Sequence, residues 1–308
     1  MPDPAALPPV ATATATATTT ATAPATAPAP APVTAGSPVA DAYARLAAVH
    51  PGLLITERSA SDPAPRGAGW VGADGLGAGG AALDAFLAWD AAQVLRDYGC
   101  PGRPDVVAGF GLHRYAWPAC LLFTAPWFLA RRVPELPASA VAFHRTRGLM
   151  SVHVAGFACL PDDPAAGLPG ARVVPDAGAL RAEVRAAVSR HLEPVLTGFG
   201  PRMRRGRRAL WGMVTDEVVE GLWYVAGLLG EEARAREELE LLLPGATAPY
   251  TGSAGFRTLR GPDGEELATR DRAGCCLFYT VRPQDTCVTC PRTGDPERIA
   301  RLTAPTAA

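Results

Sequence analysis

Four of the seven cysteines fall within sixteen consecutive residues near the C-terminus, as Cys275-Cys276, ten further residues, then Cys287-Val288-Thr289-Cys290-Pro291. Whatever the rest of the chain does, this segment must fold so that four thiols can share one task. Cys100, Cys120 and Cys159 are scattered through apolar stretches and read as small buried hydrophobes. A disulfide framework would require an oxidising compartment. Structural zinc is usually held by two separated Cys-x-x-Cys knuckles, whereas the first pair here has no spacer. A two-iron cluster offers four terminal thiolate positions spread over a larger object than one ion. The spacing therefore favours an iron-sulfur centre, with zinc as the second reading and a redox dithiol as the third.

Composition narrows the remaining classes. The 29 basic residues are all arginine, Lys and Asn are absent, and Ile occurs only at positions 55 and 299. These absences share a cause in AT-rich codons, so arginine-rich stretches carry less functional weight than they otherwise would. A net charge of −1 without a basic tail argues against a general nucleic-acid or anionic-membrane surface. Residues 1–38 are Ala, Pro and Thr repeats that lack the large apolar side chains needed to offset ordering entropy, and are expected to be disordered. The first basic residue is Arg45, and Pro and Thr interrupt any apolar run before it, so no secretory leader is expected and the cytoplasm is the expected address.

Gly67-Ala68-Gly69-Trp70-Val71-Gly72 matches the dinucleotide-binding pattern, but a polar loop precedes it where a strand is required. Helical periodicity at Leu83, Phe86, Leu87, Val94 and Leu95 ends at Gly99. The apolar stretch from Val106 to Leu129 has the length of a membrane span, yet Pro118 and Pro126 predict two buried helices instead. Residues 140–144 and 149–154 predict strands around a turn at Arg147-Gly148, and His144 and His153 read as structural. A helix is predicted from Ala177 to Leu196, interrupted by Gly198, Gly200 and Pro201. A second long helix presents Leu210, Trp211, Val214, Val218, Leu222 and Ala226 on one face, with Asp216, Glu217 and Glu220 toward the other. Its start carries five arginines between Arg202 and Arg208, which oppose the helix dipole unless something anionic or another element's C-terminus lies nearby. Gly261-Pro262-Asp263-Gly264 marks a hairpin, and Leu277 to Val281 predicts a short strand with one cysteine of the first pair on each face.

The pattern Cys275-Cys276-x10-Cys287-x2-Cys290, with Leu277, Phe278 and Tyr279 between the pairs and Pro291 after the last, resembles the C-terminal signature of FhuF-like ferric siderophore reductases. Gly206-Arg207-Arg208-Ala209-Leu210-Trp211-Gly212, preceded by His191-Leu192-Glu193-Pro194-Val195, is a weaker match to the same family, as is the helix start at Arg103-Pro104-Asp105. The resemblance implies a cytoplasmic [2Fe-2S] protein with Cys275, Cys276, Cys287 and Cys290 as ligands and redox site. Its substrate would be a ferric siderophore, of hydroxamate type, and its electrons would come from an external donor such as a ferredoxin or reductase. Arg207, Arg208 and Trp211 are the candidate substrate-binding residues, and Arg272, Arg282 and Arg292 flank the ligands. The expected fold is α+β: a helix-rich siderophore-binding body over 39–245 with a small antiparallel sheet, then a cysteine-rich iron-sulfur segment over 246–308. The rival functions are an iron-sulfur electron carrier for a protein partner and a structural zinc-binding module.

Overall fold

The computed structural model describes residues 36–245, 247–283, 286–287 and 289–304. Most of the expected disordered tail, and Val288 between the last two cysteines, lie outside the described residues. Order is already established at Ser37, whose backbone N–H and hydroxyl both donate to Glu57, at 2.8 and 2.6 Å.

The fold is α+β, a helical body with small sheets at its edges. Its axis is α4 (Pro104–Ala130), apolar on every side and therefore enclosed by α1 (Ala40–Val49), α3 (Gly80–Tyr98), α5 (Ala177–Met203) and α6 (Arg207–Leu228). The two helices predicted across Val106–Leu129 are one. Pro126 removes the N–H that would bond the Leu122 carbonyl, and the Tyr43 hydroxyl of α1 donates to that carbonyl instead, at 2.9 Å. Helix α5 likewise runs through its predicted interruption. The short α2 (Ala73–Ala78) crosses it so closely that a Cβ on Gly198 would lie 2.2 Å from the Leu76 carbonyl oxygen, so Gly198 admits a neighbour and does not end a helix.

A four-stranded sheet has the order β1-β5-β4-β2, with β1 (Leu54–Glu57) parallel to β5 (Leu149–Val152) and the remaining pairings antiparallel. The β4–β5 hairpin is the predicted one, with β4 at Val141–His144. Strand β2 (Trp70–Gly72) occupies the glycine-rich motif itself. There Gly69, at φ 90°, leaves room for the His144 ring, which a Cβ would approach to 2.5 Å. The motif thus serves packing. His153 accepts its own structural role by bonding the Arg58 carbonyl through Nδ1 at 3.3 Å. A second sheet joins β3 (Val133–Pro134), β6 (Phe157–Cys159) and β7 (Ala171–Val173), and after α7 (Glu232–Leu242) a hairpin pairs β8 (Phe256–Arg260) with β9 (Glu266–Arg270). The chain closes with α8 (Asp295–Leu302). No helix among the described residues is long and apolar enough to cross a membrane.

His191 of α5 is fully enclosed, its Nδ1–H donating to the Leu136 carbonyl at 2.9 Å and its Nε2 accepting from the Tyr115 hydroxyl at 2.7 Å. Burial pushes it down to about 4 from an ordinary value of 6.5. The neutral form is therefore the one that folds, and the unfolded chain binds the extra proton. Stability is complete above pH 6.5 and falls as pH drops toward about 4, by up to roughly 3 kcal/mol from this group. The stability gap between wild type and His191→Gln should narrow over that window in chemical denaturation; a gap independent of pH would contradict the assignment.

Candidate metal centre

One face of α6 positions the cysteine segment along its whole length. Ala209, Gly212, Asp216 and Glu220 recur at helical spacing on that face. Gly212 lies under the backbone of Ala273, where a Cβ would meet the Ala273 carbonyl oxygen at 3.3 Å. The Asp216 carboxylate, fully buried, accepts from the backbone N–H groups of Ala273 and Gly274 at 2.9 and 2.8 Å and from Arg270 at 2.8 Å. Arg270 leaves β9 with no exposed surface, and also donates to Glu220 at 2.9 Å and to the Ala254 carbonyl at 3.0 Å. Burial would raise the Glu220 carboxyl, but Arg272 and Arg270 outweigh it and hold the group below the usual carboxylate range. Glu220 also accepts from Thr289, between the last two cysteines, at 2.9 Å. These acids, assigned to an outward polar face by their periodicity, face inward because their cationic partners arrive from β9 and the segment behind it. Glu217 is buried as well, paired with His113 of α4 at 2.8 Å.

The predicted strand at 277–281 is absent. Leu277 takes a left-handed conformation at φ 63° and turns the chain into a 3₁₀ helix over Phe278–Thr280. A strand would have sent Cys275 and Cys276 to opposite faces, whereas the turn keeps both at the site. The turn is seated in an apolar slot between α3 and α4, where Leu277 and Val281 pack with Val94, Val106 and Val107, and the Phe278 ring meets those of Tyr98 and Phe110 at 5.5 and 6.2 Å. From the other side Arg298 of α8, 2% exposed, joins both cysteine arms. Its guanidinium donates to the carbonyls of Arg270 at 3.0 Å and Cys290 at 3.2 Å, and to Asp271 at 3.0 Å.

Within this frame the thiols lie together. The Cys287 thiol beside Cys276 favours the latter's thiolate and lowers its pKa, with Arg272 assisting against the opposing effect of burial. Cys287, the donor in that contact, is pushed up correspondingly. Burial also raises Cys275, whose sulfur accepts the Leu277 N–H at 3.4 Å, while that of Cys290 accepts the Arg292 N–H at 3.4 Å. Arg272 donates to the Cys287 sulfur at 3.8 Å. Among the described residues no three His, Cys, Asp or Glu side chains converge on a point where one ion would sit. Four thiols with N–H donors aimed at their sulfurs and an arginine beside them are the donor set a thiolate-ligated iron-sulfur cluster requires. Cys287 and Cys290 are buried, while Cys275 and Cys276 are partly exposed.

The candidate substrate residues separate. Arg208 lines an open groove of about 570 Å³ together with Gly206, Ala209, Thr251, Gly252 and Ala273. Arg207, one position away, is tied to Glu193 at 2.6 Å. Trp211 does not form a wall of the groove: it is 1% exposed and packs edge-on against Tyr250 at 5.3 Å, because the apolar side of α6 faces the core. Of the flanking arginines, Arg272 shares its charge with Asp216 and Glu220, each at 3.5 Å, and Arg292 lies over the Tyr279 ring at 4.2 Å. The residues that periodicity misses are Asp216, Glu220, Arg270 and Arg298; an acidic pair on an otherwise apolar helix was the available signal.

A buried charge lattice thus frames four cysteines whose chemistry suits an iron-sulfur centre. Residues 272–292, which include all four clustered cysteines, match the family model of the FhuF 2Fe-2S C-terminal domain, and the match indicates a [2Fe-2S] cluster. No curated protein matches the chain.

Proposed function

We propose that Cys275, Cys276, Cys287 and Cys290 hold the [2Fe-2S] cluster, and that the protein passes one electron to Fe(III) in a siderophore, releasing Fe(II) in the cytoplasm. The observation that carries this reading is the partly exposed Cys275-Cys276 edge, reached along the chain from a groove that Ala273 lines. Bound at these thiols, the cluster supplies a one-electron couple. The protein's own residues hold the site in place: Asp216 fixes the backbone at 273 and 274, Arg298 ties Cys290 to the strand before Cys275, and Leu277 and Val281 anchor the turn against α3 and α4. Ferric ion is a hard cation gripped by anionic oxygens, and ferrous ion is held by them far less tightly, so reduction frees the metal without destroying its carrier. Arg272 donates to a ligand sulfur, but two carboxylates share its charge, which limits how far it favours the more negative reduced state. The glycine-rich match at 67–72 is spent on packing, which makes an external donor, a ferredoxin or reductase, the source of electrons.

An iron-sulfur carrier serving a protein partner would use the same ligands. The groove favours a chelate, since a concavity of this size suits a small molecule more than a flat protein surface. Replacing Cys276 or Cys287 by Ser should leave the helical body folded by circular dichroism while bound iron and sulfide fall to a small fraction of wild type and ferric-chelate reduction is lost. Reduction by a variant that holds no iron would overturn the proposal.

A further inference from the structure

Five arginines crowd the junction of α5 and α6, and their surroundings differ. Arg202 pairs with Asp84 at 2.6 Å and Arg207 with Glu193 at 2.6 Å. Arg204 closes the C-terminus of α5, where the helix dipole favours a cation. Arg205 donates to the Cys275 carbonyl at 3.0 Å and to the Met213 sulfur at 3.7 Å, and so places a positive charge beside the cysteine pair. Arg208 is the exception. It has no carboxylate within ion-pair distance among the described residues, and it sits in the first turn of α6, where the dipole disfavours a cation by about 0.3–1 kcal/mol. Local structure gains nothing from a charge there.

The groove that Arg208 lines has no acidic residue in its wall, and the neighbouring Arg205 adds to the same positive field. From this charge arrangement, resting on the reductase reading above, we infer that the groove selects ferric chelates with anionic periphery, bearing carboxylate or catecholate oxygens. An electrically neutral tris-hydroxamate complex would gain little from Arg208. The exposed Arg208 guanidinium offers planar, paired donors to a peripheral carboxylate or catecholate. The preference concerns peripheral charge and operates within the hydroxamate type that family resemblance implies.

The test uses redox-inert gallium(III) complexes of one trihydroxamate ligand in two forms, with a pendant ammonium and with that amine succinylated to a pendant carboxylate. Isothermal titration of the cluster-loaded protein at low ionic strength should show the carboxylate form binding about five- to tenfold more tightly, from one exposed charge pair gained and one repulsion removed. Arg208→Gln should erase the difference. Equal affinities, preference for the ammonium form, no binding of either, or a preference that survives Arg208→Gln would each overturn the inference. Because gallium accepts no electron here, a binding preference accompanied by failure to reduce the ferric complexes would instead contradict the reductase reading alone.

Discussion

Asp216→Ala is expected to unfold the cysteine segment and strip the protein of its cluster while α4 and its neighbours remain assembled. The substitution removes four contacts at once: the two backbone N–H groups that precede the cysteine pair, the ion pair with Arg270 and one of the two carboxylates that Arg272 faces. Arg270 would keep Glu220 and the Ala254 carbonyl, but with no exposed surface it could not recover the lost charge from water. Breaking one partner of a buried pair costs about 3–5 kcal/mol, a large part of the stability of most domains. Asp216→Asn keeps one acceptor oxygen for the backbone and loses the charge, so it should fall between wild type and alanine. Iron content and thermal unfolding of the three proteins, purified anaerobically in parallel, provide the comparison. Alanine and wild-type proteins with equal iron and equal midpoints would show that the α6 acids do not hold the segment.

Arg298→Ala should have the second largest effect, of a different kind. Arg298 contributes little to the helical core but binds the strand before Cys275 to the turn that carries Cys290. Without it the Arg270 and Cys290 carbonyls each lose a charged donor, and the Cys290 carbonyl keeps the Thr293 N–H at 3.0 Å, so the cost is about 1–3 kcal/mol in all. The arms would then separate more often, so cluster loss to a strong iron chelator should accelerate several-fold while global unfolding shifts less than in Asp216→Ala. Arg298→Lys should restore little of this, because a single ammonium cannot span both arms as the planar guanidinium does. The exposed Asp271 partner is of minor weight, being 60% accessible. Unchanged cluster lifetime in the alanine variant would remove Arg298 from the clamp.

The two predictions involve residues whose importance the sequence conceals, for a physical reason. Cysteine spacing is legible because thiols so close in the chain have few other tasks, and the β4–β5 and β8–β9 hairpins are legible because their turns are local. Asp216 and Glu220 are not, since their arginine partners enter from β9, 54 and 50 residues later, and a carboxylate among apolar helix residues ordinarily marks the wet side. Pro126 misled in the same way: the Tyr43 hydroxyl that replaces its missing hydrogen bond comes from 79 residues earlier relative to Leu122. In the cysteine segment, the strand-forming character of Leu277-Phe278-Tyr279-Thr280-Val281 yields to a turn, because packing of Leu277 and Val281 with Val94, Val106 and Val107 and the contacts of the Phe278 ring with Tyr98 and Phe110 outweigh local preference. The arginine row at the α6 start was visible, but only the fold distinguishes Arg207, spoken for by Glu193, from Arg208 at the groove.

The central claim is that the cluster delivers single electrons to chelated ferric ion. Protein reduced anaerobically with dithionite and freed of excess reductant should show the visible bleaching and EPR signal of a reduced two-iron centre. Adding a ferric siderophore together with a ferrous-specific trap should abolish that signal and yield one trapped Fe(II) per cluster. A reduced signal that persists in the presence of ferric chelates, or zinc in place of iron at the four thiols, would contradict it.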